Sequence, residues 1–118
     1  MMPDDAGRRD LSHYTVHMVG NAHIDPVWQW RWEEGRQEVL DTCRAALERI
    51  KDTDGFIFCE SSAVMYEWIE QEDPILFEEI KKAIEAGQWC LVGGWWVEPD
   101  CNVPCGESLV RHGLYGQG

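Results

Sequence analysis

Apolar positions along this chain switch between short runs and helical spacing. Residues 14–21 carry Val16, Met18 and Val19 in one short run and predict a strand. From 33 to 51, Val39, Leu40, Cys43, Leu47 and Ile50 recur at helical spacing. Glu33 and Glu34 near the start of that segment, and Arg49 and Lys51 near its end, suit the helix dipole. Gly55 breaks the pattern, and "FIFCE" at 56–60 predicts a second strand. Ser61 or Ser62 is placed to cap a helix running to 71. Asp73-Pro74 restarts it, with Asp as N-cap and Pro in the first helical position. Ile80, Ala83 and Ile84 continue the apolar face and Gly87 ends it. "WCLVGGWWV" at 89–97 predicts the third strand, and 106–118 begins like a helix.

The order is therefore β-α-β-α-β, which implies an α/β fold with a parallel sheet and right-handed crossovers. Residues 1–13 are polar and read as a flexible N-terminal tail, leaving 14–118 as one unit. Leu109, Val110, Leu114 and Tyr115 start an apolar helical face with no later element to cover it. The expectation is an incomplete piece of a larger domain; a small three-stranded protein with a frayed end is the alternative.

Composition narrows the partners. A net charge of −12 argues against nucleic acid, which needs a basic surface, and against an anionic membrane. No segment is apolar enough for a signal core or a membrane span. Five Cys, at 43, 59, 90, 101 and 105, are odd in number and scattered, unlike a disulfide framework. The expected compartment is a reducing cytoplasm. Seven Trp is high for 118 residues, and Trp serves where a large flat face is wanted, in a core or against a ligand.

In parallel α/β folds ligands bind at the carboxyl ends of the strands. That edge receives His23, Asp25 and Trp28 after the first strand, and Glu60, Ser61 and Ser62 after the second. Glu98, Asp100 and Asn102 follow the third. Residues i and i+2 of extended chain point the same way, so His23 and Asp25 are placed to grip one cation. One nitrogen and one carboxylate oxygen suit zinc, with further ligands from elsewhere. The same residues also fit a plain turn at Asp25-Pro26. "GGWWVEPDC" is open to two readings as well. Its Gly pair fits a bulge with core Trp, whereas carboxylates beside flat aromatic faces fit a sugar site. Cys101 and Cys105 lack the second pair a metal site would want, and His13, His17 and His112 receive no role.

"GNAHIDPVWQW" together with "GGWWVEPDCNVPCGESLVR", and "CESSAVMYEWIE" between them, resembles glycoside hydrolase family 38. These are the metal-dependent retaining α-mannosidases, and the likeness, to the bacterial branch, covers residues 14–118. It implies the truncated start of a seven-stranded parallel β/α barrel. It implies hydrolysis of terminal α-linked mannose with retention, through a covalent mannosyl-enzyme. By position His23 and Asp25 match zinc ligands, Asp100 matches a residue that is both zinc ligand and nucleophile, and Trp28 matches the aromatic against the sugar. The fourth ligand, a His, and the general acid, an Asp, would lie outside this chain, as would the family's C-terminal β-rich domains. Cys105 stands where the family often has Ser. The implied cofactor is one divalent metal, zinc, and the implied partner is a mannose-containing oligosaccharide or glycoside. A homo-oligomeric full-length form is compatible with this, and the 118 residues alone are expected to be inactive. Two other readings compete: a metal-dependent carbohydrate deacetylase on a related barrel, and a non-catalytic truncated remnant.

Overall fold

The computed structural model describes residues 10–118. Most of the predicted tail, residues 1–9, lies outside the described residues, and residues 10–13 are exposed. The elements run β1 Gly20–Asn21, α1 Trp32–Asp52, β2 Phe58–Glu60, α2 Ala63–Glu72, α3 Pro74–Glu85, β3 Trp89–Leu91 and α4 Gly106–Gln117. The three strands form one parallel sheet in the order β1-β2-β3, with Gly20 opposite Phe58 and Phe58 opposite Trp89. The predicted α/β class and parallel pairing are therefore present.

The helices begin where local chemistry says they should. The Glu34 carboxylate accepts from the Arg31 amide at 2.8 Å, satisfying one free donor at the start of α1. Asp73 accepts from the Leu76 amide at 3.0 Å, and Pro74 follows it as the first residue of α3. The start of α2 differs from expectation. Neither Ser61 nor Ser62 caps it by its side chain; instead the amides of Ala63 and Val64 donate to the carbonyls of Trp95 and Trp96, both at 3.0 Å.

That contact also explains why β3 is shorter than the predicted 89–97. Gly93 and Gly94 take positive φ (83° and 118°) and turn the chain, so that residues 95 and 96 serve α2 rather than a strand. β1 is likewise shorter than the predicted 14–21. Its ladder covers only the two residues that face β2, while Val16 and Met18 upstream remain exposed.

Burial follows the predicted faces. Val39, Cys43 and Leu47 of α1 meet Ile69 of α2, Ile80 of α3 and the strand residues Phe58 and Trp89 in one core. The Trp89 ring lies 4.6 Å from that of Phe58, and its indole nitrogen donates to the Tyr66 hydroxyl at 3.0 Å. Tyr66 in turn donates to the Glu60 carbonyl at 3.2 Å, so the core hands over directly to the carboxyl end of β2. Arg36 lies over the rings of Trp32 and Trp68 and pairs with Glu72, tying α1 to α2. Among the described residues no helix is long and apolar enough to cross a membrane.

Candidate functional site

Directly after β1 the chain bends through residues 26–30 before entering α1. Two contacts fix that bend. The Trp30 indole donates to the Asp25 carbonyl at 3.0 Å. Gly35 of α1 sits so close beneath Pro26 that a Cβ there would come 2.3 Å from the Pro26 carbonyl oxygen. The sequence "HIDPVW" is thereby seated on α1, and Trp28 is left 66% exposed at the mouth of the strand, outside the core.

The imidazole of His23 lies between two carboxylates. Its Nε2 is 3.5 Å from Asp25 Oδ1 and its Nδ1 is 3.2 Å from Glu98 Oε2. The other oxygen of Glu98 accepts from the Ser61 hydroxyl at 2.7 Å. All three strand ends thus contribute to one cluster: His23 and Asp25 after β1, Ser61 after β2 and Glu98 beyond β3. For Asp100, the predicted third member, the hydrogen-bond partner lies in its own loop. Its Oδ1 accepts from the Asn102 amide at 2.8 Å, an Asx turn. Among the described residues no three His, Cys, Asp or Glu side chains gather as a ready metal cage.

Beneath the cluster lies Glu60, 2% exposed. Its Oε1 accepts from the Ser61 amide at 2.9 Å and its Oε2 has no partner among the described residues. Burial pushes this carboxyl up to about 7; the Ser61 amide and His23 oppose that, and the charge of Glu98 adds to it. Burial, reinforced by Glu60, also pushes the Cys43 thiol up to about 12, which leaves it unreactive.

The sign of the Glu60 effect gives a pH prediction. In the unfolded chain the carboxyl ionises at its ordinary value near 4.5, and in the folded protein only near 7. The folded state then holds this proton more tightly, so the contribution of Glu60 to stability is most favourable below pH 4.5 and declines as pH rises towards 7. Glu60→Gln removes this penalty, on the order of 2–3 kcal/mol above neutrality. Denaturant midpoints of the metal-free protein should favour the variant increasingly from pH 5 to pH 8; parallel pH profiles would refute it.

The loop that carries Glu98 is clamped from α4. The Trp96 amide donates to the His112 carbonyl at 2.9 Å, and the Val97 amide donates to His112 Nδ1 at 3.3 Å. Gly116 approaches so closely that a Cβ would stand 2.5 Å from the Gly94 carbonyl oxygen. His112, to which the sequence assigned no role, is therefore a backbone clamp. No local signal marks it, since its partners are in another element. Trp95 and Trp96 face His112 and Tyr115, at ring separations of 6.3 and 6.1 Å. An apolar groove of about 370 Å³ also runs between α2, α3 and Leu91–Val92, but it contains none of the candidate ligands.

With this geometry in hand, likeness to known proteins adds a family. The model of "Glycosyl hydrolases family 38 N-terminal domain" matches residues 13–118. "Alpha-mannosidase 2C1" of Homo sapiens is 38% identical over 106 residues, which is 90% of this chain and 10% of that protein. "Alpha-mannosidase G" of Dictyostelium discoideum is 37% identical over the same shares. An α-mannosidase crystal structure from Enterococcus faecalis V583 superposes with a TM-score of 0.74 at 26% identity, covering 84% of this chain and 11% of that one. The chain spans about a tenth of the length of the curated relatives it matches.

Proposed function

The chain belongs to glycoside hydrolase family 38, and on that footing we propose that the full-length protein hydrolyses terminal α-linked mannose, with His23 and Asp25 holding a divalent cation and Trp28 facing the sugar. The observation that carries this reading is the approach of His23 Nε2 to Asp25 Oδ1 beside an exposed Trp at a strand end.

The donor set fits the cation. An imidazole nitrogen with carboxylate oxygen suits zinc better than magnesium or calcium, which favour oxygen alone. By position Asp100 would supply a third ligand, and a His outside this chain a fourth. When bound, the cation supplies Lewis acidity and a grip on sugar hydroxyls. The chain's own residues do the rest. Trp28 offers a flat apolar face to the ring's C–H surface, and Asp25 supplies negative charge that holds the cation. Trp30 keeps the Asp25 backbone from drifting.

Hydrolysis with retention proceeds through a sugar bonded to a carboxylate, and retaining enzymes set their two carboxyl groups about 5–5.5 Å apart. The resemblance gives that carboxylate as Asp100, whose Oδ1 accepts from the Asn102 amide in an Asx turn. Trapping decides its part. A slow fluorinated mannosyl substrate leaves the sugar on the nucleophile, and peptide mapping locates it. A label on Asp100 gives it the nucleophile's part. A label beyond residue 118 removes Asp100 from the bond-forming step and leaves the metal reading intact.

The reading as a whole is tested on the full-length protein with aryl glycosides. The α-mannoside is turned over while the β-mannoside and α-glucoside are not, and Trp28→Ala raises KM about tenfold, the loss of one stacking contact of about 1–1.5 kcal/mol. Its melting temperature stays near that of the wild type, because the ring buries little. No preference for the α-mannoside, or a large fall in melting temperature with unchanged KM, counts against the proposal.

A further inference from the structure

We propose that Glu98, itself held by Ser61, is a positioning residue that sets the proton of His23 on Nδ1 and so leaves the Nε2 lone pair free for the cation. This rests on the reading above, in which His23 is a ligand, and adds a residue that its motif does not contain.

A neutral imidazole has one N–H and one lone pair, and only the lone pair can bind a metal. The hydrogen-bond partner of one nitrogen decides which atom plays which part. Here the partners are already sorted. Nε2 faces Asp25, the second candidate ligand, at 3.5 Å, so a cation shared by the two would sit on that side. Nδ1 faces Glu98 Oε2 at 3.2 Å, within the distance of an N–H···O bond. The reverse tautomer would point an N–H at the cation and set a lone pair against a carboxylate.

Glu98 is itself held. The Ser61 hydroxyl has one hydrogen and donates it to Oε1 at 2.7 Å, which leaves Oε2 for the imidazole. Ser61 is fixed from below, because its amide donates to Glu60 at 2.9 Å. The ends of all three strands are thereby coupled through a single side-chain chain that terminates on His23. Outer partners of this kind are worth about 10- to 100-fold in metal affinity.

The test uses the full-length protein. Zinc affinity is measured by competition with a chromogenic chelator, and the coordination set by the visible spectrum of the cobalt(II)-loaded protein. Glu98→Gln is expected to weaken zinc binding by about 10- to 100-fold. At saturation its cobalt spectrum should match the wild type, and the melting temperature of the metal-free protein should not move. Ser61→Ala should weaken binding less, and the double variant no more than Glu98→Gln alone. Unchanged affinity in Glu98→Gln overturns the proposal. So does an altered cobalt spectrum, which would make Glu98 a ligand, and so does a parallel fall in the metal-free melting temperature, which would make it structural. Additive losses in the double variant overturn the part given to Ser61. His23→Ala separates the two levels. Metal retained there brings down the parent reading together with this one, whereas metal lost there but undisturbed in Glu98→Gln brings down this one alone.

Discussion

Replacing His23 by Ala in the full-length protein removes the bound divalent cation and lowers turnover of an aryl α-mannoside at least about a hundredfold, more than an outer-partner change would. Among the described residues the imidazole is the one nitrogen ligand at this strand end, and it lies 3.5 and 3.2 Å from two carboxylates. Without it, the preference for zinc over oxygen-seeking cations is lost along with the affinity. Asp25→Ala should act in the same direction, and the Trp30 bond survives it because that bond reaches the Asp25 carbonyl and not the side chain. The bend therefore stays in place while the charge is removed. Chelation of the wild type should reproduce both variants. Elemental analysis checks the metal and initial rates check the turnover. Undiminished metal in both variants would show that the cation, if any, is held elsewhere.

Trp89→Ala is expected to produce the largest loss of stability, about 3–5 kcal/mol. Trp89 is 1% exposed and is the largest fully buried side chain in the core. Its removal opens a void against Phe58 and leaves the Tyr66 hydroxyl without its donor. Tyr66 bonds the carbonyl of Glu60, so the effect reaches the carboxyl end of β2. Trp89→Phe keeps most of the ring volume and should cost distinctly less, with the residual loss reflecting the Tyr66 bond. Denaturant midpoints compare the two, and equal costs for Ala and Phe would show that packing is not what Trp89 contributes.

How far the sequence could be read depends on how local each cause is. Helices α1 and α3 were legible because their signals lie inside them: apolar spacing, Glu33 and Glu34 near the start of α1, and Asp73 before Pro74. Strand lengths were not. Val16 and Met18 look like strand residues, but a ladder needs a neighbour, and β2 offers one only opposite Gly20 and Asn21. The cap of α2 was hidden because its acceptors, the carbonyls of Trp95 and Trp96, belong to another element. At the site, His23, Asp25 and Trp28 were visible as a compact motif on one bend. Glu98 was placed on the right edge, but its approach to His23 follows from how the turn at Gly93 and Gly94 aims the loop, and spacing does not encode that. Asp100 was read by its place in a motif, and its Asx turn with Asn102 is a local alternative that competes with any contact to His23.

The clamp of α4 on the loop at 94–97 bears on how portable this motif is. A designer who grafted "GGWWVEPD" onto another parallel sheet would move the aromatic and acidic side chains but not the surface that shapes them. That surface is the His112 carbonyl and ring nitrogen and the bare backbone at Gly116. The smallest transferable unit therefore runs from β3 through α4, and a peptide or chimera that stops short of residue 112 would carry the motif's letters in an unconstrained loop.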